Sequence, residues 1–508
     1  MMSDNNNKNT GKRLAKNAIY MYTRMFILMI ISFYTSRVVL QQLGVEDFGI
    51  YNLVGSIVAM FNSLRAIFAS STQRFLNYEM GAGNEDKLHI VFNMSLFINS
   101  MIAVLFIVLV EIAGIWFFYS GINVPDNRIE AAFIVFQLSI MTSVVSIISS
   151  VFDAVVISHE RMGFYAFLYI LESVMKLIIV FMLIISPYDK LISYGFLYLL
   201  ITVATLFINI LYCRKCFSEV RLSRCWDKEY LKKMTSFAGW NFFGNTSNAL
   251  TQSGMNMVLN TFGGPVVNAA RGVAFQLNSA MMMFLSNVGI VVNPFSIKLY
   301  AKQEFEKFYE MIFLSSKLFF TVQLCLVIPF IFCTYDLLNL WLTEVPEYSV
   351  IFLQLILMHS LIRALHSPLD TVFKATGNLK YYQIIEGILL ATPLLFSYIA
   401  LTTGADYYVV FVIVIFVELL NTGSILLLLK HQISFNLAKY LRSVILPCSL
   451  LIIITVLSYI WFKTIGLNNL VLSLLYCAML DIVVIVIAYI CMLSQNEKHY
   501  IISIIKKS

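Results

Sequence analysis

Five amide side chains recur at helical spacing in the apolar stretch from Gly239 to Asn260. They occupy positions i, i+4, i+7, i+11 and i+15, namely Asn241, Asn245, Asn248, Gln252 and Asn256. On a helix these positions lie within about 80° of one another and form one polar stripe. Amide side chains both donate and accept hydrogen bonds. The stripe therefore indicates either a polar cavity wall or hydrogen bonds to neighbouring helices, with Gly239, Gly244 and Gly254 allowing close packing.

Other polar residues interrupt the neighbouring apolar stretches. Asn268, Arg271 and Asn278 share one sector of the next helix, and Arg24 and Arg65 lie in the first two apolar stretches. A buried arginine usually faces a cavity or a partner, because a lone charge in hydrocarbon is costly. Its planar fork can bind two oxygens of a phosphate. These arginines are candidate ligands for an anion, with structural ion pairs or snorkelling as the alternative.

Acidic residues within the apolar stretches are candidates for carrying a coupling proton or sodium ion. The candidates are Asp153, Glu172, Glu386 and Glu418. Burial would favour the protonated carboxyl and make a proton relay possible. Lys176 follows Glu172 by four residues, so an intrahelical ion pair is expected there. Because Asp153 and Asp370 occupy matching positions of the internal repeat described below, a structural or gating role is the alternative for Asp153.

The composition indicates a membrane protein. The 508 residues are 59% hydrophobic and 12% charged, and their mean hydropathy is +0.81, which excludes an ordinary soluble enzyme. Apolar runs of about 20 residues, each long enough to span a bilayer, recur throughout. We predict fourteen helical spans at 15–42, 48–73, 89–118, 129–157, 163–186, 191–212, 234–259, 266–296, 308–333, 349–372, 381–401, 407–429, 443–462 and 468–493. The first is expected to be an anchor rather than a cleaved signal.

The basic residues predict an orientation. Of the 35 Lys and Arg residues, 25 fall in one alternate set of loops, which includes both termini, and three fall in the other set. By the positive-inside rule both termini are cytoplasmic, and the net charge of +7 needs no nucleic-acid partner to explain it. Cys213, Cys216 and Cys225 have no fourth Cys or His nearby, so no metal site is predicted. There is also no P-loop motif, which argues against direct ATP use.

The chain contains a weak internal repeat. "VLQQLG" (39–44) matches "VLNTFG" (258–263), and "FDAVVISHERMGFY" (152–165) matches "LDTVFKATGNLKYY" (369–382). The offsets are 219 and 217 residues, so Asp153 corresponds to Asp370 and Tyr165 to Tyr382. Six spans separate the copies, which predicts a parallel repeat. The predicted units are an N-lobe (1–213), a cytoplasmic linker (214–233), a C-lobe (234–430), and a final helix pair with a cytoplasmic tail (431–508).

The sequence resembles a known family. "SRVVLQQLGVEDFGIYNLVGSIVAMFNSL" (36–64) and "SPLDTVFKATGNLKYYQIIEGILL" (367–390) resemble segments of the Wzx-type polysaccharide transporters. These belong to the multidrug/oligosaccharidyl-lipid/polysaccharide exporter superfamily. The resemblance implies an all-α fold of about fourteen transmembrane helices, with two six-helix lobes around a central cavity and two C-terminal helices. Arginines of the first and eighth spans are similar in position to cavity arginines of the lipid II flippases.

The resemblance also implies a function. Such proteins move undecaprenyl-pyrophosphate-linked oligosaccharides from the cytoplasmic to the periplasmic leaflet of the bacterial inner membrane by alternating access, using an ion gradient. The expected partners are this lipid-linked substrate, membrane lipid and polysaccharide polymerase machinery, and no cofactor is expected beyond a coupling H⁺ or Na⁺. The product could belong to O-antigen or capsule.

Two other functions remain open from the residues. A drug or cation exporter of the same superfamily would have a more aromatic and acidic cavity. A membrane glycosyltransferase or polymerase could use the acidic pair Glu46–Asp47, although no long outer loop accompanies it. We interpret that pair as a solvated helix start, where acids complement the helix dipole.

Overall fold

The computed structural model describes residues 16–31, 62–119, 126–185, 187–223, 226–342, 345–433, 435–466 and 469–493, with a few single positions between them. Within these ranges the chain is nearly all helical and contains no strand. The first six helices are α1 (16–31), α2 (Asn62–Ala82), α3 (Glu85–Tyr119), α4 (Ile129–Ser158), α5 (Met162–Ile185) and α6 (Lys190–Cys216).

Eight helices follow in the second half of the chain. They are α7 (Lys228–Ala301), α8 (Phe305–Phe332), the short α9 (Thr334–Trp341), α10 (Ser349–Thr376), α11 (Lys380–Thr402), α12 (Val409–Gln432), α13 (Leu437–Ile465) and α14 (Leu470–Met492). Among the described residues, 11 helices are long and apolar enough to cross a membrane. From the third span onward, the described helix ends lie within about six residues of the predicted span ends, which is the usual precision for helix boundaries.

Some helices extend past the predicted membrane boundary. The second span was predicted to end at residue 73, but α2 continues to Ala82. Arg74, predicted as a loop residue, therefore lies on a helix, where it is 8% exposed. Its guanidinium covers the rings of Phe75 and Tyr78 at 4.6 and 4.8 Å. Cation–π contact of this kind allows a basic residue to be buried at a membrane boundary.

The helices divide into two compact units, an N-terminal unit (Lys16–Gly239) and a C-terminal unit (Trp240–Ser508). In the N-terminal unit, α4 packs against α2, α3 and α6. Phe106 of α3 and Val135, Phe136 and Ile140 of α4 are fully buried in its core. In the C-terminal unit, α10 packs against α8 and α12, and α11 packs against α12. The last two helices, α13 and α14, both contact α8.

An ion-pair cluster joins three predicted outer loops of the N-terminal unit. Arg128, just before α4, donates from Nε to Asp47 Oδ1 at 2.8 Å and pairs with the second oxygen of that carboxylate. Arg128 also lies 2.5 Å from Asp189 Oδ2. Asp189 caps α6 by accepting hydrogen bonds from the main-chain N–H groups of Leu191 and Ile192. We name Asp47, Arg128 and Asp189 the outer clasp. The interpretation of Asp47 as a solvated helix start was incomplete, because its charge is paired with Arg128.

Helix α7 contains the seventh and eighth predicted spans, separated at Gly264. Gly264 has φ 68° and ψ −168°, a conformation open almost only to glycine. Close to the centre of the first half, α7 approaches α11. The Ser247 hydroxyl donates to the Gly387 carbonyl at 2.6 Å, and a Cβ on Gly387 would lie 2.7 Å from the Phe243 ring. Small residues allow such contact where lipid provides no hydrophobic drive for helix association.

The internal repeat has a structural counterpart at the α4–α5 and α10–α11 hairpins. Asp370 at the end of α10 accepts a hydrogen bond from the Tyr382 hydroxyl of α11 at 2.6 Å. Asp153 at the end of α4 likewise accepts from a tyrosine of the next helix, at 2.7 Å. That tyrosine is Tyr169 rather than the sequence-matched Tyr165, which packs its ring on Tyr169 at 4.7 Å. The two hairpins therefore share an aspartate–tyrosine bond with a shift of one turn.

Candidate functional site

A pocket lies inside the C-terminal unit among α7, α10, α11 and α12. Its volume is about 150 Å³. Apolar side chains such as Leu355, Leu390 and Phe411 form part of its wall. The polar and charged lining residues are Asn248, Thr251, Gln252, Arg271, Asn278, His359, Arg363 and Glu418. An apolar pocket with a few converging polar groups is the usual form of a small-ligand site.

Arg271 is a buried cation held by neutral groups. It is 5% exposed, and its guanidinium donates to Gln252 Oε1 at 2.8 Å and to Asn256 Oδ1. The guanidinium also lies over the Phe275 ring at 4.1 Å. Within the described ranges, no carboxylate lies at ion-pair distance from Arg271. Because its partners are amides, its positive charge is not neutralised and can attract an anion entering the pocket.

The amide stripe is divided between two environments. Asn248 and Gln252 line the pocket, and Asn256 holds Arg271. Asn241 is buried and Asn245 is exposed, with the Asn245 amide donating to the Asn241 carbonyl at 2.8 Å. Neither of these two lines the pocket. The stripe therefore corresponds to a pocket wall over its C-terminal part and to local helix contacts at its N-terminal end.

The other candidate ligands are distributed as follows. Asn278 lines the pocket, and its buried Oδ1 has no hydrogen-bond partner among the described residues. The side chains of Asn268 and Arg65 lie outside the described part of the chain. Arg24 belongs to the N-terminal unit, where it stacks over the rings of Tyr165 and Tyr169 at 4.9 and 5.1 Å.

Arg24 is part of a polar cluster in the N-terminal unit. Tyr169, beneath the guanidinium, donates to Asp153, which also accepts from the Asn209 amide at 2.9 Å. Asp153 is 7% exposed. Arg24 Nε and Nη1 are buried without hydrogen-bond partners among the described residues. The geometry thus leaves Nε and Nη1 of Arg24 available to a ligand, and Tyr169 and Asn209 are among the groups that donate to Asp153.

A charged stripe runs along α10. Its members lie at positions i, i+4, i+7 and i+11 and share one helix face, namely His359, Arg363, His366 and Asp370. Arg363 Nη1 donates to both Glu386 of α11 and Glu418 of α12, at 3.3 Å each. Both glutamates were predicted as ion-coupling candidates, and the structure brings them together around one arginine. Sequence reasoning did not select His359 or His366, although the spacing of the stripe would have indicated them.

A metal ion could in principle use part of this cluster. Ligand atoms of His366, Asp370 and Glu386 lie within 4.8 Å of one another. However, Arg363 lies 3.3 Å from Glu386 and 3.9 Å from Asp370. The guanidinium is therefore a fixed positive charge beside both carboxylates and would repel a divalent cation. The donor set suits a hydrogen-bonded charge network better than a metal centre.

The remaining acidic candidate has a local partner. Glu172 Oε1 lies 2.6 Å from Lys176 Nζ one helical turn away, and Lys176 also donates to the Tyr198 hydroxyl at 2.8 Å. The predicted intrahelical pair is confirmed. Because its charge is paired with Lys176, Glu172 lacks the unpaired carboxylate that ion binding would favour.

Comparison with known proteins identifies the family. The profile described as "Polysaccharide biosynthesis protein" matches residues 14–300, more than half of the chain. This protein belongs to the polysaccharide biosynthesis protein family. A sequence search against curated proteins found no match to this chain.

Several solved structures have the same fold as this chain. A MATE protein in the straight conformation is similar with a TM-score of 0.72 and 16% identity, covering 85% of this chain and 97% of that one. An outward-facing MATE family multidrug transporter of the MOP superfamily gives 0.71 and 15%, covering 84% and 96%. A MOP superfamily transporter from Pyrococcus furiosus, with a binding pocket of reverse polarity, gives 0.71 and 15%, covering 85% and 96%. At 15–16% identity these structures show that the chain shares their fold.

Proposed function

We propose that this protein is a flippase that moves undecaprenyl-pyrophosphate-linked oligosaccharides from the cytoplasmic to the periplasmic leaflet by alternating access. The observation that carries the proposal is the C-terminal pocket of a polysaccharide biosynthesis family member. In it Arg271 is held by amides and has no acidic partner among the described residues. A transported head group combines sugar hydroxyls with a diphosphate, and the pocket offers groups for both. Asn248, Gln252 and Asn278 can exchange hydrogen bonds with hydroxyls.

The chemistry explains why a protein is needed. Each hydroxyl that enters hydrocarbon without a partner costs several kcal/mol, and a bare charge costs far more. The lipid tail can remain in the bilayer, so only the head group needs a polar path. Arg24 in the N-terminal unit and Arg271 in the C-terminal unit supply fork-shaped cations that match phosphate oxygens. An ion gradient would drive the cycle. Within the described chain, the α10 stripe with Glu386 and Glu418 is the best candidate for the site that binds the coupling ion.

The proposal is tested by mass spectrometry of lipid-linked oligosaccharides in a strain lacking this protein. We expect complete repeat units to accumulate on undecaprenyl pyrophosphate and to resist a glycosidase added to the periplasm. Complete units that the glycosidase can digest would indicate a polymerase. Truncated units would indicate a glycosyltransferase. An unchanged lipid pool would contradict the flippase and favour a drug or cation exporter. Re-expression of the wild-type chain should reverse the accumulation.

A further inference from the structure

His366 lies at the centre of the α10 stripe, behind the pocket wall. It is 0% exposed. Its Nδ1 lies 3.1 Å from Glu418 Oε1, and its Nε2 lies 3.0 Å from Asp370 Oδ1. A charged imidazolium can donate at both nitrogens, whereas a neutral ring can donate at only one. Carboxylates at ion-pair distance from both nitrogens therefore match the protonated ring, and loss of the proton weakens this attraction. The attraction is electrostatic, because Nε2 has no hydrogen-bond partner among the described residues and Nδ1 lies 3.3 Å from the Thr422 hydroxyl.

The proton on His366 changes the charge balance of the groups around it. The groups that face His366 come from three helices: His359, Arg363, Asp370 and Lys374 on α10, Tyr382 and Glu386 on α11, and Glu418 and Thr422 on α12. At the core of this group Asp370, Glu386 and Glu418 contact Arg363 and His366, and Glu418 also lies 3.7 Å from His359. With Arg363 as the fixed cation and His359 neutral, the charge of this core depends on His366. A charged His366 leaves one carboxylate in excess, and a neutral His366 leaves two. Like charges this close in a buried site repel strongly.

The stripe also joins the pocket to one end of the unit. His359, Arg363 and Glu418 line the pocket, and His359 Nε2 lies 3.7 Å from Glu418 Oε2. Beyond Glu418 come His366, Asp370 and the Tyr382 hydroxyl. From His359 to Asp370 the stripe spans about 16 Å along α10. The Asp370 end lies beside the α10–α11 loop, which the charge pattern predicts to be cytoplasmic.

We propose that His366 binds and releases a proton during the transport cycle, along a path formed by His359, Glu418, His366 and Asp370. This proposal rests on the transport function proposed above. On release, the Nδ1–H bond breaks and the proton passes to Glu418, then to His359 and to water in the pocket. Neutral His366 attracts Glu418 of α12 less strongly, so the contact between α10 and α12 at the pocket wall weakens. The proton state of one buried histidine thereby changes the charge and the packing of the pocket.

The charge state can be measured on the full-length protein without substrate. Histidine-selective ¹⁵N labelling gives resonances for the six histidines, and the His366 signals are those lost in His366→Gln. Should that variant misfold, the other five His→Gln variants assign His366 by elimination. We expect His366 to change from doubly to singly protonated within the pH range over which the protein stays folded, because histidine is the side chain that titrates near neutral pH. A single charge state across that range would overturn the proposal.

Two substitutions separate proton exchange from a structural charge. His366→Gln is always neutral and His366→Lys stays positively charged, so both should lose at least about 10-fold of transport, measured as oligosaccharide that becomes open to periplasmic glycosidase. His431→Gln, at the exposed end of α12, is the matched control and should behave as wild type. Transport restored by His366→Lys would show that only the charge is needed and would overturn the proposal. If the strain lacking the protein accumulates no protected oligosaccharide, the flippase function has failed, and the pH titration of His366 still decides whether it exchanges a proton.

Discussion

At the residue scale, Arg271 combines high burial with neutral partners. A buried charge without an opposite charge costs stability, and proteins retain such groups where function needs them. Arg363 differs, because Glu386 and Glu418 neutralise it. The two arginines of the same pocket are therefore expected to respond oppositely to substitution. Removing Arg363 would leave carboxylates unpaired, whereas removing Arg271 leaves only amides.

Arg271→Gln is expected to reduce transport by at least about 10-fold while leaving the melting temperature in detergent unchanged or higher. Arg271→Lys should recover only part of the activity, because an ammonium lacks the bidentate fork. Periplasmic exposure of lipid-linked oligosaccharide measures the transport. The control is Arg442→Gln, whose side chain is exposed. Wild-type transport by a stable Arg271→Gln protein would remove Arg271 from the substrate path.

At the element scale, backbone geometry and end contacts position the helices that carry the site. Gly264 sets the change of direction within α7, after which Arg271 follows by two turns. The outer clasp joins the ends of several N-terminal helices, where lipid packing gives little specificity. Because these features lie outside the pocket, substitutions in them are expected to lower the stability of the protein rather than to act directly on transport.

Gly264→Ala is expected to lower stability by about 1–3 kcal/mol, because its φ of 68° and ψ of −168° suit only glycine. Gly272→Ala is the matched control on the same helix. A Cβ there meets no atom within 4 Å, so the change should stabilise by about 0.5–1 kcal/mol through helix propensity. Thermal unfolding in detergent measures both. Equal melting temperatures for the two variants would contradict the role assigned to Gly264.

Asp189→Asn tests the charge of the outer clasp while keeping the helix cap, since Asn and Asp cap equally well. Burial acts to raise the pKa of Asp189, but hydrogen bonds from Arg128 and from the Ile192 and Leu191 N–H groups outweigh it and hold the pKa below its usual value. A lowered folded-state pKa means that the ionised carboxylate adds stability above the unfolded value of about 3.9.

We therefore expect Asp189→Asn to lose less than about 1 kcal/mol near neutral pH, as is typical of partly exposed pairs. The difference from wild type should shrink below about pH 3.9 and vanish once pH falls below the folded pKa. Unfolding measured over this pH range provides the check. A difference that grows on acidification would have the wrong sign for a lowered pKa.

At the scale of the whole molecule, the charge pattern predicts an orientation that labelling can test. Cys216 is exposed at the end of α6, on the side predicted to be cytoplasmic, and Asn127 is exposed before α4, on the predicted outer side. In a background without other cysteines, a membrane-impermeant maleimide should label Asn127→Cys in intact cells. It should label Cys216 only after permeabilisation. The reverse pattern would invert the topology and with it the direction of the proposed proton path.

The sequence alone determined the helices of this protein and the helix faces that carry many of its polar residues. Span length and hydropathy are local properties, so from the third span onward the predicted ends lie close to the described helix ends. Helical spacing likewise placed Asn248, Gln252 and Asn256 on one face. The resemblance to polysaccharide transporters agrees with the family match to residues 14–300. Site roles for these residues remain predictions until transport is measured.

Only the tertiary structure decided which of these groups meet. Glu418 lies 52 residues after His366 in the chain, yet their side chains are 3.1 Å apart, because α10 packs against α12. The same packing gave Arg363 two carboxylates and left Arg271 with amides. The rotation of each helix about its axis depends on the shapes of all its neighbours, which the periodicity of a single segment does not contain. For that reason a stripe of residues can be predicted from sequence, and its partners cannot.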